Sequence, residues 1–257
     1  MISFKERLSK AVTLLNLSKN VAAFTGAGIS TDSGISDFRS KGGVWDRYRI
    51  VTYQEFISSH KARVEYWNMK KELYGEIKDA KPNRAHLALA ELEKISNLKC
   101  LITQNIDGLH QASGSSNVIE LHGTNRKAVC LDCGKKWPIE EVQTWLEQGE
   151  IDPSCDVCQG YVKPATISFG QSMPESEMIR AFKCAASCDL LLMIGSSLQV
   201  EPAASIPREA FSNGAKLIYI NRTQTPTDNL ADVCFRENAS QVFDELLKLL
   251  KSGMNTT

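Results

Sequence analysis

The sequence lacks the features of a membrane-spanning or exported protein. None of its apolar runs approaches the roughly 18 residues that a membrane-spanning helix needs. The segment 1–20 contains no uninterrupted apolar stretch and no small-residue cleavage site, so we expect no signal peptide. These absences predict an intracellular, cytoplasmic protein without a membrane partner.

The chain also lacks an excess of charge of either sign. It has 30 Lys and Arg and 30 Asp and Glu in 257 residues, so electrostatics give no reason to expect nucleic acid as a direct partner. No G-x-S-x-G motif is present, so a serine hydrolase of that type has no nucleophile here. The length fits one large domain with a smaller appendage, and we expect a monomer.

Disulfides are not expected among the eight cysteines, because a chain without an export signal is favoured in a reducing compartment. Cys100 and Cys234 lie in apolar sequence and are predicted to pack as small hydrophobic residues. Cys184 and Cys188 are spaced to share one face of a helix, which we favour over a pair of metal ligands. The remaining cysteines form two C-x-x-C pairs.

These pairs, Cys130 with Cys133 and Cys155 with Cys158, are separated by 21 residues. Four thiolates can complete the tetrahedron that structural Zn²⁺ prefers, although the separation lies just beyond the usual range of about 15–20 residues. Because all four ligand positions are sulfur, we predict one closed, structural zinc site. A redox C-x-x-C is the alternative, but it needs only one pair. Nearby lysines are balanced by glutamates, which gives no support to a ribbon that binds nucleic acid.

Buried strands alternate with amphipathic helices over most of the chain. The predicted strands, which are short, apolar and followed by polar or glycine-rich turns, are 20–26, 98–105, 189–195 and 215–221. The amphipathic helical patterns cover 84–96, 175–187, 203–213 and 239–251. This alternation predicts an α/β fold, a Rossmann-like parallel sheet with helices on both faces. Ligands of such sheets bind at the carboxyl ends of the strands, where the polar turns fall.

Two segments interrupt this alternation. The first, 40–83, is rich in aromatic and charged residues, and the second, 126–163, holds the C-x-x-C pairs. We assign them as the helical part and the zinc-ribbon part of a smaller domain. The Rossmann-like domain would then consist of 1–39, 84–125 and 164–257. We expect the tail, 251–257, to be frayed.

A glycine turn follows the first predicted strand in the stretch FTGAGISTDSGISDFRS. Gly26 and Gly28 permit a tight turn whose N–H groups could face a pyrophosphate. Thr31 stands where a dinucleotide fingerprint would have its third glycine, so a turn without a ligand is the alternative. Asp37 and Arg39 favour a ligand, because an arginine after such a turn usually holds a phosphate or a carboxylate.

One histidine is a candidate general base. His122 follows a short apolar strand and precedes Gly123, which would leave room beside the ring. An imidazole is the natural base near neutral pH, although a lone histidine is more often structural. Asn105 and Asp107 supply an amide and a carboxylate at alternate positions of one turn, and such a pair could hold a ribose and a carboxamide.

Several of these stretches together resemble the sirtuin family of NAD-dependent protein-lysine deacylases: GAGISTDSGISDFR, TQNIDGLH, LHG, the two C-x-x-C pairs, FGQSMP and GSSLQVEP. The resemblance runs in order from about residue 20 to about residue 245. It implies an enzyme that transfers the acyl group of a modified lysine to ADP-ribose and releases nicotinamide. It also implies NAD as co-substrate, one structural Zn²⁺, and an acyl-lysine protein or peptide as partner.

The resemblance implies roles for individual residues. His122 matches the catalytic histidine, and Asn105 and Asp107 match residues that orient the nicotinamide ribose and carboxamide. The implied NAD contacts are Gly26, Ala27, Gly28, Asp37, Phe38, Arg39, Gln104, Asn105, Asp107, Gly195, Ser196, Ser197, Asn221 and Ala239. The acyl-lysine peptide is expected to add as a strand between TISFG and SLQVE. The implied substrate residues are Tyr66, Lys70, Ile167, Phe169, Gly170, Leu198 and Val200.

The chain departs from the family pattern at several positions. Ser36 replaces a proline, Gln171 an acid and Ser196 a threonine. Relatives that remove succinyl or malonyl groups carry a Tyr-x-x-Arg pair, and the stretch VEYWNMKK has no arginine that fits, so acidic acyl groups are not expected. Lys70 keeps them as an alternative, because a lysine can meet a carboxylate. For Tyr66 we favour packing within the helix.

Two other functions remain open. One is a protein mono-ADP-ribosyltransferase that uses the same NAD site. The other is a non-catalytic NAD-binding or zinc interaction module, whose mark would be the loss of His122 or Asn105. Both residues are present, so the deacylase is the favoured hypothesis.

Overall fold

The structure, a computed structural model, describes residues 2–254. The strands are, in chain order, β1 (Val21–Thr25), β2 (Leu98–Thr103), β3 (Val118–Glu120), β4 (Gly123–Cys130), β5 (Lys136–Pro138), β6 (Val162–Thr166), β7 (Leu190–Ile194), β8 (Lys216–Ile220) and β9 (Val233–Phe235). The larger sheet is parallel, with the order β3-β2-β1-β7-β8-β9. The smaller sheet is antiparallel, with the order β5-β4-β6.

Helices surround both sheets. They are α1 (Phe4–Leu17), α2 (Val44–Arg47), α3 (Tyr53–Ser58), α4 (His60–Lys78), α5 (Arg84–Ile95), α6 (Leu109–Ala112), α7 (Ile139–Glu147), α8 (Glu175–Ser187), α9 (Ile206–Ser212) and α10 (Ala239–Met254). The first begins with a capping box, in which the Ser3 hydroxyl and the Glu6 carboxylate each accept from the other's backbone N–H. Across residues 2–254, no helix combines the length and the apolar character that crossing a bilayer requires.

Both faces of the larger sheet are buried. Every residue of β1 is buried, and successive side chains enter opposite cores. Val21 and Ala23 pack in the core formed with α1, α5 and α10, whereas Ala22 and Phe24 pack in the core formed with α8 and α9. Because apolar side chains fill both faces, the polar turns at the strand ends are where this sheet can present chemistry.

The smaller sheet, α2–α4 and α7 form what we call the small lobe. Trp67 of α4 is 1% exposed and packs with Trp137 and Cys130 around the smaller sheet. The neighbouring Tyr66 packs with Phe56 in a second apolar cluster between α3 and α4. The two segments that interrupt the α/β alternation therefore pack against each other, and the assigned domain boundaries stay a prediction.

The predicted α/β fold class is confirmed, and the four predicted strands contain β1, β2, β7 and β8. The predicted helix 203–213 is divided, because a 3₁₀ turn, Ala203–Ser205, precedes α9. Pro207 lies in the first turn of α9, where its missing N–H costs no hydrogen bond. The prediction of a frayed tail is wrong for residues 251–254, which continue α10. Residues 255–257 lie outside the described part of the chain.

The expectation that disulfides are absent is wrong at one place. Cys100 on β2 and Cys184 on α8 are joined, with their Cα atoms 6.6 Å apart, a separation that a disulfide can span. Local sequence does not show that α8 covers this face of β2, so the pair could not be predicted from spacing. Cys188 and Cys234 are free and belong to or pack against the same apolar cluster.

Candidate active site

A cleft of about 780 Å³ opens at the carboxyl ends of four strands of the larger sheet. The turns after β1, β2, β7 and β8, which the sequence predicted to share one edge, all contribute side chains to it. The predicted NAD contacts that line it are Ala27, Gly28, Asp37, Phe38, Arg39, Gln104, Asn105, Gly195, Ser196, Ser197, Asn221 and Ala239. Gly26 and Asp107 do not line this cleft.

The glycine turn after β1 packs against the turn after β7. A Cβ atom on Gly26 would lie 2.8 Å from the Gly195 carbonyl oxygen, and one on Gly28 would lie 2.8 Å from the Gly195 Cα. The Gly26 and Gly28 N–H groups donate to the Ile194 and Gly195 carbonyls at 3.0 and 2.8 Å. The Gly26 and Gly28 N–H groups therefore join the two turns. The expectation that N–H groups of this turn face a pyrophosphate stays a prediction.

Asp37 closes its own loop beside the cleft. Its carboxylate accepts from the Arg39 and Ser40 N–H groups at 2.9 and 2.7 Å and from the Ser40 hydroxyl at 2.6 Å. Partial burial by itself raises the pKa of Asp37, but the hydrogen bonds from Ser40 and Arg39 and the charge of Arg39 lower it below its usual value. Asp37 is thus ionised and structural, and Arg39 is the cation that this loop presents to the cleft.

The turn after β2 is hydrogen-bonded to the glycine turn. The Asn105 amide donates to the Gly26 carbonyl at 3.2 Å and to the Ser30 hydroxyl at 3.1 Å. The same hydroxyl donates to the Asp107 carboxylate at 2.8 Å. Both side chains are 6% exposed, so the predicted amide–carboxylate pair is rigidly held beside the cleft.

Asp107 lines a smaller chamber of about 70 Å³ that adjoins the cleft. Phe38 and Asn105 line both spaces. Lys70 from α4 lines only the chamber, and its Nζ lies 3.5 Å from the Asn125 Oδ1. The chamber therefore brings a cation of the small lobe close to the polar turn of the larger sheet.

His122 lies between β3 and β4 and lines the cleft. Its Nδ1 is 2.9 Å from the Gln104 carbonyl oxygen, which can only accept, so Nδ1 carries the proton. Burial lowers the pKa of His122, the bond to the Gln104 carbonyl raises it, and the charge of Arg39 lowers it; the net shift is downward. The ring is therefore neutral at pH 7, and its Nε2 can accept a proton.

The space beside His122 is filled by the backbone of β6. Gly123 has φ +70°, and a Cβ atom on it would lie 2.1 Å from the Ala165 carbonyl oxygen. The His122 carbonyl accepts from the Ile167 N–H at 2.9 Å. The sequence suggested that Gly123 leaves open room beside the ring, and this is wrong. Gly123 instead lets the backbone of β6 approach the chain next to the ring.

The four cysteines of the C-x-x-C pairs come together. Their Sγ atoms all lie within 4.8 Å of one another, and the Cys130–Cys158 and Cys133–Cys155 pairs are 3.5 and 3.6 Å apart. Tetrahedral Zn–S bonds of about 2.3 Å place sulfurs about 3.8 Å apart. The donor set and its spacing fit one structural Zn²⁺, and a closed four-sulfur site leaves no position for a reacting ligand.

The implied substrate residues fall into three groups, of which Tyr66 and Lys70 on α4 are one. Ile167, Phe169 and Gly170 follow β6, whereas Leu198 and Val200 follow β7. Phe169 is 41% exposed and its ring lies 6.0 Å from that of Trp45, so it remains accessible. Tyr66 is 5% exposed inside the small lobe, which confirms the favoured interpretation that it packs.

Some cleft residues were missed by sequence reasoning. Trp45 lines both the cleft and the chamber, and Asp32 lines the cleft while accepting from Asn238 and Ser240 at 2.8 and 2.7 Å. Arg222 approaches Asp32 at 3.7 Å. These contacts join segments about 200 residues apart, and no local pattern marks them.

Comparisons with known proteins agree with this geometry. The model of the Sir2 family matches residues 26–202. A protein from Thermodesulfovibrio yellowstonii named NAD-dependent protein deacetylase is 56% identical over 251 residues, which cover 98% of each chain. A solved structure of Sir2 with a p53 peptide and NAD⁺ has a TM-score of 0.87 at 34% identity, covering 96% of this chain and 99% of the other. A Sir2 variant with deacetylated p53 peptide and 3′-O-acetyl ADP ribose has a TM-score of 0.89 at 35% identity, covering 94% and 98%.

Proposed function

This chain belongs to the Sir2 family, and we propose that His122 is the general base of its reaction. The chain is an NAD-dependent protein deacetylase, with an acetylated protein or peptide and NAD as its substrates. The observation that carries the assignment is the His122 ring, which lines the cleft and is held through Nδ1 by the Gln104 carbonyl. Its neutral Nε2 can then take a proton from a ribose hydroxyl of the co-substrate.

The co-substrate is proposed to lie along the cleft, where the turns after β1, β2, β7 and β8 meet. Bound NAD supplies a ribose carbon that is open to attack and nicotinamide as the leaving group. Asn105 and Asp107 hold the polar turn rigid, so that groups beside the reacting ribose need little reorganisation. Phe38 and Trp45, with ring centroids 5.2 Å apart, line both the cleft and the chamber and give the site an apolar wall.

A substitution of His122 tests this assignment. Purified protein would be incubated with NAD and an acetyl-lysine peptide, and mass spectrometry would follow the deacetylated peptide and acetylated ADP-ribose. His122→Ala should lower turnover by about 10²- to 10⁴-fold, the usual contribution of a general base, with unchanged circular dichroism. His60→Ala is the matched control, since the His60 side chain is 63% exposed on the small lobe. Full activity of His122→Ala would refute the assignment.

The same assay separates the other functions. Labelled ADP-ribose that remains on protein would indicate mono-ADP-ribosyl transfer instead of deacetylation. Binding of NAD without turnover would indicate a non-catalytic module. A monomeric state and a cytoplasmic location are proposed from the sequence alone, and light scattering and cell fractionation would check them.

Neutral acyl groups are proposed as the ones that the enzyme removes most readily from lysine. Lys70 lines the chamber beside Asp107, and its Nζ lies 5.5 Å from the Tyr66 ring centroid and within 3.5 Å of Asn125. A single flexible ammonium lacks the fork of an arginine for binding a carboxylate. In a panel of acetyl, propionyl and succinyl peptides, acetyl should be removed fastest. Any succinyl activity should be lost in Lys70→Met, while acetyl activity remains.

A further inference from the structure

The buried side chain of Lys163 lies on β6, the strand whose end contacts the His122 backbone. Lys163 of β6 is 1% exposed, and its Nζ donates to the Thr166 carbonyl at 2.5 Å and to the Pro164 carbonyl at 3.4 Å. In the part of the chain that the structure describes, no carboxylate forms an ion pair with it. Burying a cation with only carbonyl partners is costly, and this cost calls for a reason beyond packing.

Tyr66 of α4 contacts the same strand end. Its hydroxyl lies 3.3 Å from the Thr166 hydroxyl, and its ring centroid lies 5.5 Å from Lys163 Nζ. Burial by itself raises the pKa of Tyr66, but the charges of Lys163 and Lys70 and the bond to Thr166 together lower it to about 7. Burial lowers the pKa of Lys163, and the neighbouring Tyr66, over whose ring the Lys163 Nζ lies, opposes that shift. Thr166 is held at its carbonyl by Lys163 and at its hydroxyl by Tyr66.

The residue after Thr166, Ile167, is hydrogen-bonded to the backbone of the proposed base. Thr166 pairs with Gly123 across β6 and β4, and the Ile167 N–H donates to the His122 carbonyl at 2.9 Å. Ile167 also begins the segment to which the acetyl-lysine peptide is proposed to add. One strand end therefore contacts the His122 carbonyl and the residue that follows it, and it leads into one wall of the proposed peptide site.

We propose that Lys163 and Tyr66 are positioning residues, which act through Thr166 on the backbone of His122 and on the edge that binds the acetyl-lysine peptide. Neither side chain lines the cleft or the chamber, so neither is a catalytic residue. This inference rests on the proposed function and deepens it, because it assigns the coupling between the small lobe and the reacting groups.

Steady-state kinetics of matched variants test the inference. Lys163→Met removes the ammonium and keeps a side chain of similar length, Lys163→Arg keeps the cation, and Tyr66→Phe removes only the hydroxyl. Two controls lose comparable interactions elsewhere. Lys71→Met removes a bond from α4 to the Leu146 carbonyl at 2.9 Å, and Tyr219→Phe removes a buried bond to the Thr227 hydroxyl at 2.9 Å.

The expected pattern separates positioning from stability. At 25 °C, with zinc content and folded fraction checked, Lys163→Met should lower kcat/KM for the acetyl peptide at least 10-fold and leave KM for NAD within 2-fold. Tyr66→Phe, which removes only the phenol hydroxyl and is the milder change, should lower the same constant at least 3-fold. Lys163→Arg should recover at least half of the loss, and both controls should stay within 2-fold of wild type.

Each other outcome overturns a defined claim. An active wild type with Lys163→Met and Tyr66→Phe kinetics equal to those of the controls would overturn the positioning role alone. Equal increases in KM for peptide and NAD would also overturn it, since that pattern reports general damage. If Lys163→Met does not fold, Tyr66→Phe decides by itself. A wild type without NAD-dependent deacetylation would overturn the proposed function and this inference together.

Discussion

The larger sheet and the small lobe bury their side chains in different ways. The core of the larger sheet is a continuous set of apolar residues on two faces, as the fully apolar, fully buried strand β7 shows. The small lobe buries the side chains of Arg63 and Lys163 and gathers four cysteine sulfurs within 4.8 Å of one another. The lobe therefore adds buried charged groups and a four-sulfur cluster to its own apolar clusters, whereas the sheet core relies on apolar contacts. The lobe nevertheless supplies the strand end that contacts His122.

Removal of zinc should have the largest effect, and it should affect the small lobe far more than the larger sheet. The chain has four tryptophans, and all of them, Trp45, Trp67, Trp137 and Trp145, lie in clusters of the small lobe. A chelator should therefore shift tryptophan emission to the red and lower deacetylation at least about 100-fold, because structural zinc supplies folding free energy to such modules. Far-UV circular dichroism, which reports mainly on the helices around the larger sheet, should change little.

Cysteine substitutions control for the chelator. Cys133→Ser should lose zinc and activity together, whereas Cys188→Ser, which changes a free cysteine of the sheet core, should keep full zinc content. Preserved emission and turnover in zinc-free protein would show that the lobe does not depend on the metal.

A core truncation in the larger sheet should have the next largest effect, and it should be of a different kind. Leu192 of β7 is fully buried, and Leu192→Ala should lower the free energy of unfolding by about 4 kcal/mol through lost burial and a cavity. Zinc content and KM for the acetyl peptide should stay near wild type in the remaining folded protein. Chemical denaturation followed by circular dichroism measures the first quantity. A selective loss of zinc in this variant would contradict the separation of the two regions.

The ion pair between Arg63 and Asp152 tests how much buried charge contributes to the stability of the small lobe. It joins α4 to the zinc-ribbon segment at 2.9 Å, with the two side chains 7% and 14% exposed. Asp152→Asn leaves Arg63 buried without its counter-charge and should cost about 3 kcal/mol of lobe stability, read from tryptophan emission in denaturant. Glu65→Gln, which breaks the exposed pair with Arg49, should cost less than about 1 kcal/mol. Equal costs would mean that burial does not set the strength of these pairs.

The same difference explains what the sequence could predict. Apolar strands and amphipathic helices have a local period, so β1, β2, β7 and β8 were predicted from the residues alone. The two C-x-x-C pairs carry their chemistry in their spacing, so the four-sulfur cluster was predicted as well. The polar turns were predicted to meet at one edge because parallel strands place their carboxyl ends together.

Contacts between distant segments were not predictable. The Cys100–Cys184 disulfide depends on which helix covers β2, and the contact between the Tyr66 and Thr166 hydroxyls depends on how α4 packs against β6. Gly26 and Gly28 pack against Gly195 in the turn after β7, and no local pattern shows this contact. Residue type limits what a position can do, but only the tertiary fold decides which of its possible partners it meets.

The pH dependence of the reaction gives the smallest expected effect. It tests the environment of His122, the cleft residue whose carbonyl is contacted by the strand end of the small lobe. Burial, the largest cause, lowers the pKa of His122, and Arg39 lowers it further. The ring is neutral above that pKa and loses its capacity as a base only when pH falls through it. In wild type, kcat/KM for the peptide should be flat above pH 7 and decline only below 6.5, the ordinary value for histidine. Arg39→Gln, measured at saturating NAD, should move this acidic limb to higher pH. A limb at or above 6.5 in wild type would show that His122 is less buried during turnover than in the structure.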